Sequence, residues 1–270
     1  MWKKFLNIFK SKTTIQKMYP ELENVGGLRN AIDIELKKLN STLKVSQDNE
    51  LDKIPLTYAR IENGHRFSQV YISAEEKIYL SDFWKEGVCL ANGQTKDISE
   101  LAQVIDFWLC NDISTKELAD KFLFVLPNDK AFAFDENKEV EYAWNLILND
   151  QSKPRTELNA FLKLAINDNI LNKLFPFTSL YTLCFSRCTG YPYDTLDLPN
   201  VTPKQFENYF PIKGAKRINE LDINRFEIQF VVTKNRNEYL GEGNAEEALK
   251  IVKANLPDNI EPARKGTADD

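Results

Sequence analysis

The sequence predicts an α+β protein: an N-terminal antiparallel meander flanked by helices, followed by a helix-plus-antiparallel-sheet part. Three observations carry that prediction. Short runs alternate apolar and polar residues between 43 and 90, and alternation of that period reads as strand. Asn63-Gly64 lies between two of these runs and signals a hairpin, because a tight two-residue turn needs positive φ. Stripes at helical spacing precede and follow the strands, and alternation returns at Tyr181–Phe185 and at Phe226, Ile228, Phe230 and Val232.

In order, the first body element is a helix over Glu21–Leu39, striped by Val25, Leu28, Ile32 and Leu36 and weakened at its start by Gly26 and Gly27. Strands follow at Leu43–Ser46, Ile54–Ile61, Arg66–Ile72, Lys77–Phe83 and Val88–Leu90. Asp97 with Glu100 opens a helix striped by Leu101, Ile105 and Trp108, and Ser114 with Glu117 opens a shorter one, each with the spacing of a capping box. Leu123–Leu126 reads as a further strand, and Pro127-Asn128-Asp129 as the internal boundary. Beyond it come helices striped by Val140, Trp144 and Ile147 and by Leu158, Phe161 and Leu162. Gly241-Glu242-Gly243 reads as a turn, and Asn244 caps a last helix that Pro257 stops. The organisation is therefore a basic amphipathic arm at 1–20, an α+β part at 21–127, a second at 128–257 and a disordered tail at 258–270.

The totals restrict function more than they specify it. Net charge is −5, whereas a general nucleic-acid binder is usually basic, so no nucleic-acid partner is expected. The charge is uneven: residues 1–17 hold Lys3, Lys4, Lys10, Lys12 and Lys17 and no acid, which leaves 30 basic against 40 acidic residues elsewhere. An acidic body steers basic partners toward it. Four cysteines without a CxxC pair point to reduced thiols, and no apolar run is long enough to span a membrane, so the expected location is cytoplasmic. The arm interleaves Trp2, Phe5, Ile8 and Phe9 with its lysines, a pattern that suits weak peripheral membrane contact.

Catalytic signatures are sparse. The single histidine, His65, lies beside the hairpin turn, so a metal site built on two or three histidines is excluded and no metal is expected. No phosphate-binding glycine motif occurs; Glu242 would repel a phosphate at the 241–243 turn, and no cofactor is expected. The densest patch of chemistry-bearing residues is Phe185–Asp194. There an inward Arg187 needs a carboxylate or an anionic ligand, Cys188 beside it is a candidate nucleophile, and Tyr191, Tyr193 and Asp194 are placed to line a pocket mouth. A second patch, Trp84 with Glu86 at a strand end, is a candidate partner contact.

The stretches LSDFWKEGVCLANG, LFPFTSLYTLCFSRCTGYPY and YLGEGNAEEALKIV, with the Trp108 helix, span most of residues 21–257. Through them the chain resembles an uncharacterised bacterial domain-of-unknown-function family loosely labelled as natural-product biosynthesis. The resemblance implies a bacterial cytoplasmic protein and brings no catalytic residues with it. The leading expectation is a protein-binding module, immunity- or antitoxin-like, that neutralises another protein by occlusion. The alternative is an enzyme or ligand-binding protein of natural-product metabolism centred on Arg187, Cys188 and Tyr191; whether any reaction is catalysed stays open at this stage.

Overall fold

A computed structural model describes residues 17–46, 57–152, 155–205, 228–235 and 238–270. Residues 1–16 of the basic arm, the start of the strand expected at 54–61 and Phe226 lie outside the described residues; the end of the arm expected at 1–20 instead belongs to the first unit, with Tyr19 buried in its core. The chain divides into two compact units, 1–136 and 137–270.

The first unit opens with helices α1 (Pro20–Val25) and α2 (Leu28–Lys38). They form in place of one continuous helix because Gly26 and Gly27 both adopt positive φ, 84° and 116°, which ends the first helix and restarts the second. The meander is β1 (Tyr58–Asn63), β2 (Arg66–Ile72), β3 (Tyr79–Lys85) and β4 (Val88–Thr95), with a short β5 (Val125–Pro127) as the far edge. The hairpin signal holds but shifts by one residue: Asn63 pairs with Arg66, so Gly64 and His65 form the turn, with positive φ of 58° at Gly64. The turn with positive φ at both central residues is instead Glu86-Gly87, at 51° and 75°. Helix α3 (Ile98–Cys110) packs its Leu101, Ile105 and Trp108 stripe on the sheet with α2. Asp97 caps it by accepting from the Ser99 N–H, but Glu100 turns away to accept from the Thr95 hydroxyl. Helix α4 (Thr115–Lys121) carries the complete Ser114–Glu117 capping box.

The boundary between the units falls beyond Pro127-Asn128-Asp129. Asn128 donates its N–H to Leu90 O, and helix α5 (Ala131–Asp135) buries Ala131 and Phe134 in the first core.

The second unit packs α6 (Glu139–Asn149), α7 (Arg155–Ala165) and α8 (Ala245–Ala254) on a sheet ordered β10-β9-β8-β7-β6. Its strands are β6 (Phe175–Ser179), β7 (Thr182–Ser186), β8 (Pro199–Pro203), β9 (Phe230–Lys234) and β10 (Glu238–Gly243). The residues 241–243 expected as a turn are therefore strand. At Gly241 a Cβ would lie 2.9 Å from Ile251 Cδ1, where α8 closes on β10, so any larger residue would have to push that methyl aside. Leu183, Phe185, Val201, Phe230 and Val232 face the helices and form a core separate from that of the first unit. Residues 258–270, expected as a disordered tail, are instead fastened to the turn after β7. Arg264 N–H donates to Arg187 O at 2.8 Å, Thr189 N–H to Arg264 O at 3.1 Å and Gly190 N–H to Gly266 O at 2.8 Å. Polar composition misleads here, because the segment gains its order from backbone bonds to another part of the chain.

Candidate functional site

Two places, one in each unit, gather the residues singled out from sequence. In the first unit, strand alternation puts Ala59, Ile61, Val70, Tyr79 and Phe83 into the core and their neighbours on the opposite face. Register places Tyr58, Arg60 and Phe67, Gln69, Tyr71 there, beside Leu80, Asp82, Trp84 and Asn92, with Leu126 at the edge. None of these side chains joins the core cluster. The face is organised nonetheless. Trp84 stacks on Phe67 with centroids 5.1 Å apart, Tyr58 packs on Tyr71 at 5.2 Å, and the Arg60 guanidinium sits 3.9 Å from the Phe67 ring centroid.

Polar groups on this face are half-buried. Burial pushes the Tyr71 hydroxyl up to about 12 and raises the Asp82 carboxyl, which the Asn92 carboxamide N–H at 2.7 Å offsets only in part. Among the described residues the buried indole N–H of Trp84 has no acceptor. Three large apolar side chains stand out at or near the β5 edge: Leu123 at 88% exposed, Leu126 at 66% and Phe132 at 52%. Glu86 lies outside the face, in the tight turn, where its N–H donates to His65 O at 2.8 Å.

In the second unit the chain leaves β7 at Ser186 and loops through Arg187–Leu198 before β8. Arg187 is committed: Nη1 donates to Asp194 Oδ1 at 3.0 Å and its backbone N–H to Asp194 O at 2.9 Å. No anionic ligand is needed to explain it. Cys188 is fully buried. Its Sγ accepts the Asp194 N–H at 3.1 Å and faces Gly190 O at 3.5 Å and Pro192 O at 3.6 Å. A thiol enclosed this way holds the turn together and offers no nucleophile to solvent. Thus Arg187, Cys188 and Asp194 form the frame, and the two tyrosines form the surface. Tyr191 is 69% exposed, and Tyr193 stacks on Phe177 with centroids 4.3 Å apart and meets Tyr191 edge-on at 5.9 Å. Burial, then the neighbouring Cys188, raises the Tyr193 hydroxyl.

Between this turn and the outer face of the second sheet lies an open groove of about 650 Å³. Phe177, Cys184 and Asn200 line its sheet side and Tyr191, Tyr193 and Leu196 its turn side. Sequence reasoning found the tyrosines but missed Phe177 and Asn200. Phe177 follows Pro176, and Asn200 lies between Pro199 and Pro203, so both sit in strands that prolines disguise. Among the described residues no cluster of His, Cys, Asp and Glu is arranged to hold a metal ion.

The fold and these two surfaces define an α+β chain with a stacked Trp–Phe pair on the outer face of its first sheet and a tyrosine-walled groove on its second. Residues 138–221 match the model of a family of unknown function, DUF6193. Of the three quoted stretches only LFPFTSLYTLCFSRCTGYPY lies inside that match, so the likeness is carried by α6 through the β7–β8 loop and beyond, not by most of the chain. No curated protein and no solved structure matches the chain. No helix among the described residues is long and apolar enough to cross a membrane.

Proposed function

We propose that this chain is a protein-binding module that holds its partner on the open face of the N-terminal sheet. The observation that carries the reading is the Trp84–Phe67 stack on a strand face outside the core. Large amphipathic rings in that setting supply contact area at low entropy cost. The exposed Leu126 extends the same face to its edge. The net charge of −5 favours a basic partner and supports the finer reading, an immunity- or antitoxin-like protein that neutralises its target by covering it.

The test is site-specific photocrosslinking in the cells that produce the protein. A photoreactive residue at Tyr71 or Leu80 should yield one discrete protein adduct, while the same probe at exposed Leu146 in the other unit should not. The adduct should vanish with Trp84→Ala and fade as ionic strength rises past the Debye regime. Equal adducts from Tyr71 and Leu146, or none from the sheet face, would sink the proposal.

A further inference from the structure

We infer that the groove of the second unit is a binding site for a neutral saccharide. The inference is independent of the sheet-face reading, since it rests on other residues in the other unit. It starts from Asn200. This residue is 8% exposed on the outer face of β8 and lines the groove, and among the described residues its carboxamide has no hydrogen-bond partner. An amide whose donor and acceptor open onto a groove can give both to a ligand there. A carboxamide offers an acceptor oxygen and two N–H donors, and a sugar hydroxyl, which both donates and accepts, can use either.

The rest of the lining selects the same ligand class. Tyr191 presents an exposed ring at 90° to Tyr193, so the two form a corner with one open aromatic face. The C–H face of a pyranose packs on such a ring while its equatorial hydroxyls point to the sides. Ser179 and Thr195 line the groove, so further hydroxyls are available there. Charge argues against the competing class: among the described residues the groove lining holds one carboxylate, Asp194, paired with Arg187, and no lysine or arginine to receive a phosphate or an acidic sugar. The volume of about 650 Å³ lies within the roughly 300–1,000 Å³ of small-molecule sites.

The experiment is a titration of the ¹⁵N-labelled full chain with a fixed panel: neutral mono- and disaccharides, glucuronic acid, adenosine and a proline-rich peptide. At least one neutral saccharide should shift the Tyr191, Tyr193 and Asn200 resonances saturably, and glucuronic acid should bind more weakly than its neutral counterpart. Tyr191→Ala, at an exposed position, should weaken binding about fivefold with an unchanged melting temperature. Asn200→Leu should abolish it; if that variant does not fold, Tyr191→Ala alone decides. Silence from every neutral saccharide, preferential binding of adenosine or the peptide at these residues, or full affinity in Tyr191→Ala each overturns the assignment and leaves the sheet-face proposal untouched.

Discussion

The guanidinium of Arg66, with its side chain 8% exposed, donates to Trp108 O at 3.0 Å, Asn111 O at 2.8 Å and Ile113 O at 2.8 Å while resting 4.3 Å from the Trp108 ring centroid. Helix α3 has no basic residue in its last turn, and β2 supplies a cation to Trp108 O in that turn, to the C-cap Asn111 O and to Ile113 O just beyond it. Arg66→Met should therefore cost about 2–4 kcal/mol in urea unfolding, because three carbonyls lose their donor at once. Its ion-pair partner Asp112 is 95% exposed, and Asp112→Ala should stay within about 0.5 kcal/mol of wild type. Asp82 gives a pH test. Burial raises its folded-state carboxyl, so ionising it costs more in the folded chain than in the unfolded one. That penalty is absent below the unfolded value near 4, grows as pH rises through the folded value and is complete above it. Asp82→Asn should thus be more stable than wild type at pH 7 and equal to it near pH 3, measured as the urea midpoint at each pH.

Among the elements, those announced by local chemistry were legible from sequence. The Ser114–Glu117 box marks α4, and Asn244, which accepts the Glu247 N–H at 3.0 Å, marks α8. The stripes of α3 and α7 and the alternation of β2 and β7 gave the right type of element. The strands missed, β6, β8 and β10, carry Pro176, Pro199, Pro203, Gly241 and Gly243, residues that locally oppose a strand; register with a neighbouring strand overrides them, while the strand expected at Leu43–Ser46 is reduced to one bridge between Val45 and Ile61 and α5 was not foreseen. The segment 258–270 is the extreme case, since much of its order lies in bonds to Lys173 O, Arg187 O, Pro192 O and the amides of the 189–190 turn. Lys265 adds an ion pair to nearly buried Glu139 at 3.2 Å. Deleting 258–270 should strip the frame of the Arg187–Asp194 turn and lower the melting temperature of the second unit by roughly 5–10 °C, for about 2 kcal/mol lost. An unchanged transition would mean that these bonds contribute nothing net.

At the scale of the whole molecule, each unit has its own core, as expected for a chain of 270 residues. Composition foretold the abundance of aromatics but not that many of them stay outside both cores, because the side to which a strand residue points depends on what packs against the sheet. The candidate site was legible to the same degree: Tyr191 and Tyr193 were found as neighbours in sequence, while Asn200 and Phe177 reach them only through folding.

The second sheet is joined unevenly. Strands β7 and β8 register at one residue pair, Leu183 and Val201, reinforced by a 2.8 Å bond between the Thr182 and Thr202 hydroxyls. Its β6–β7 and β8–β10 parts therefore meet along a short junction within one sheet. Cys184 belongs to one part and Asn200 to the other, so the groove floor straddles the junction. A molecule seated there would act as a clasp across the junction, making occupancy and stiffness of this half of the protein a single quantity.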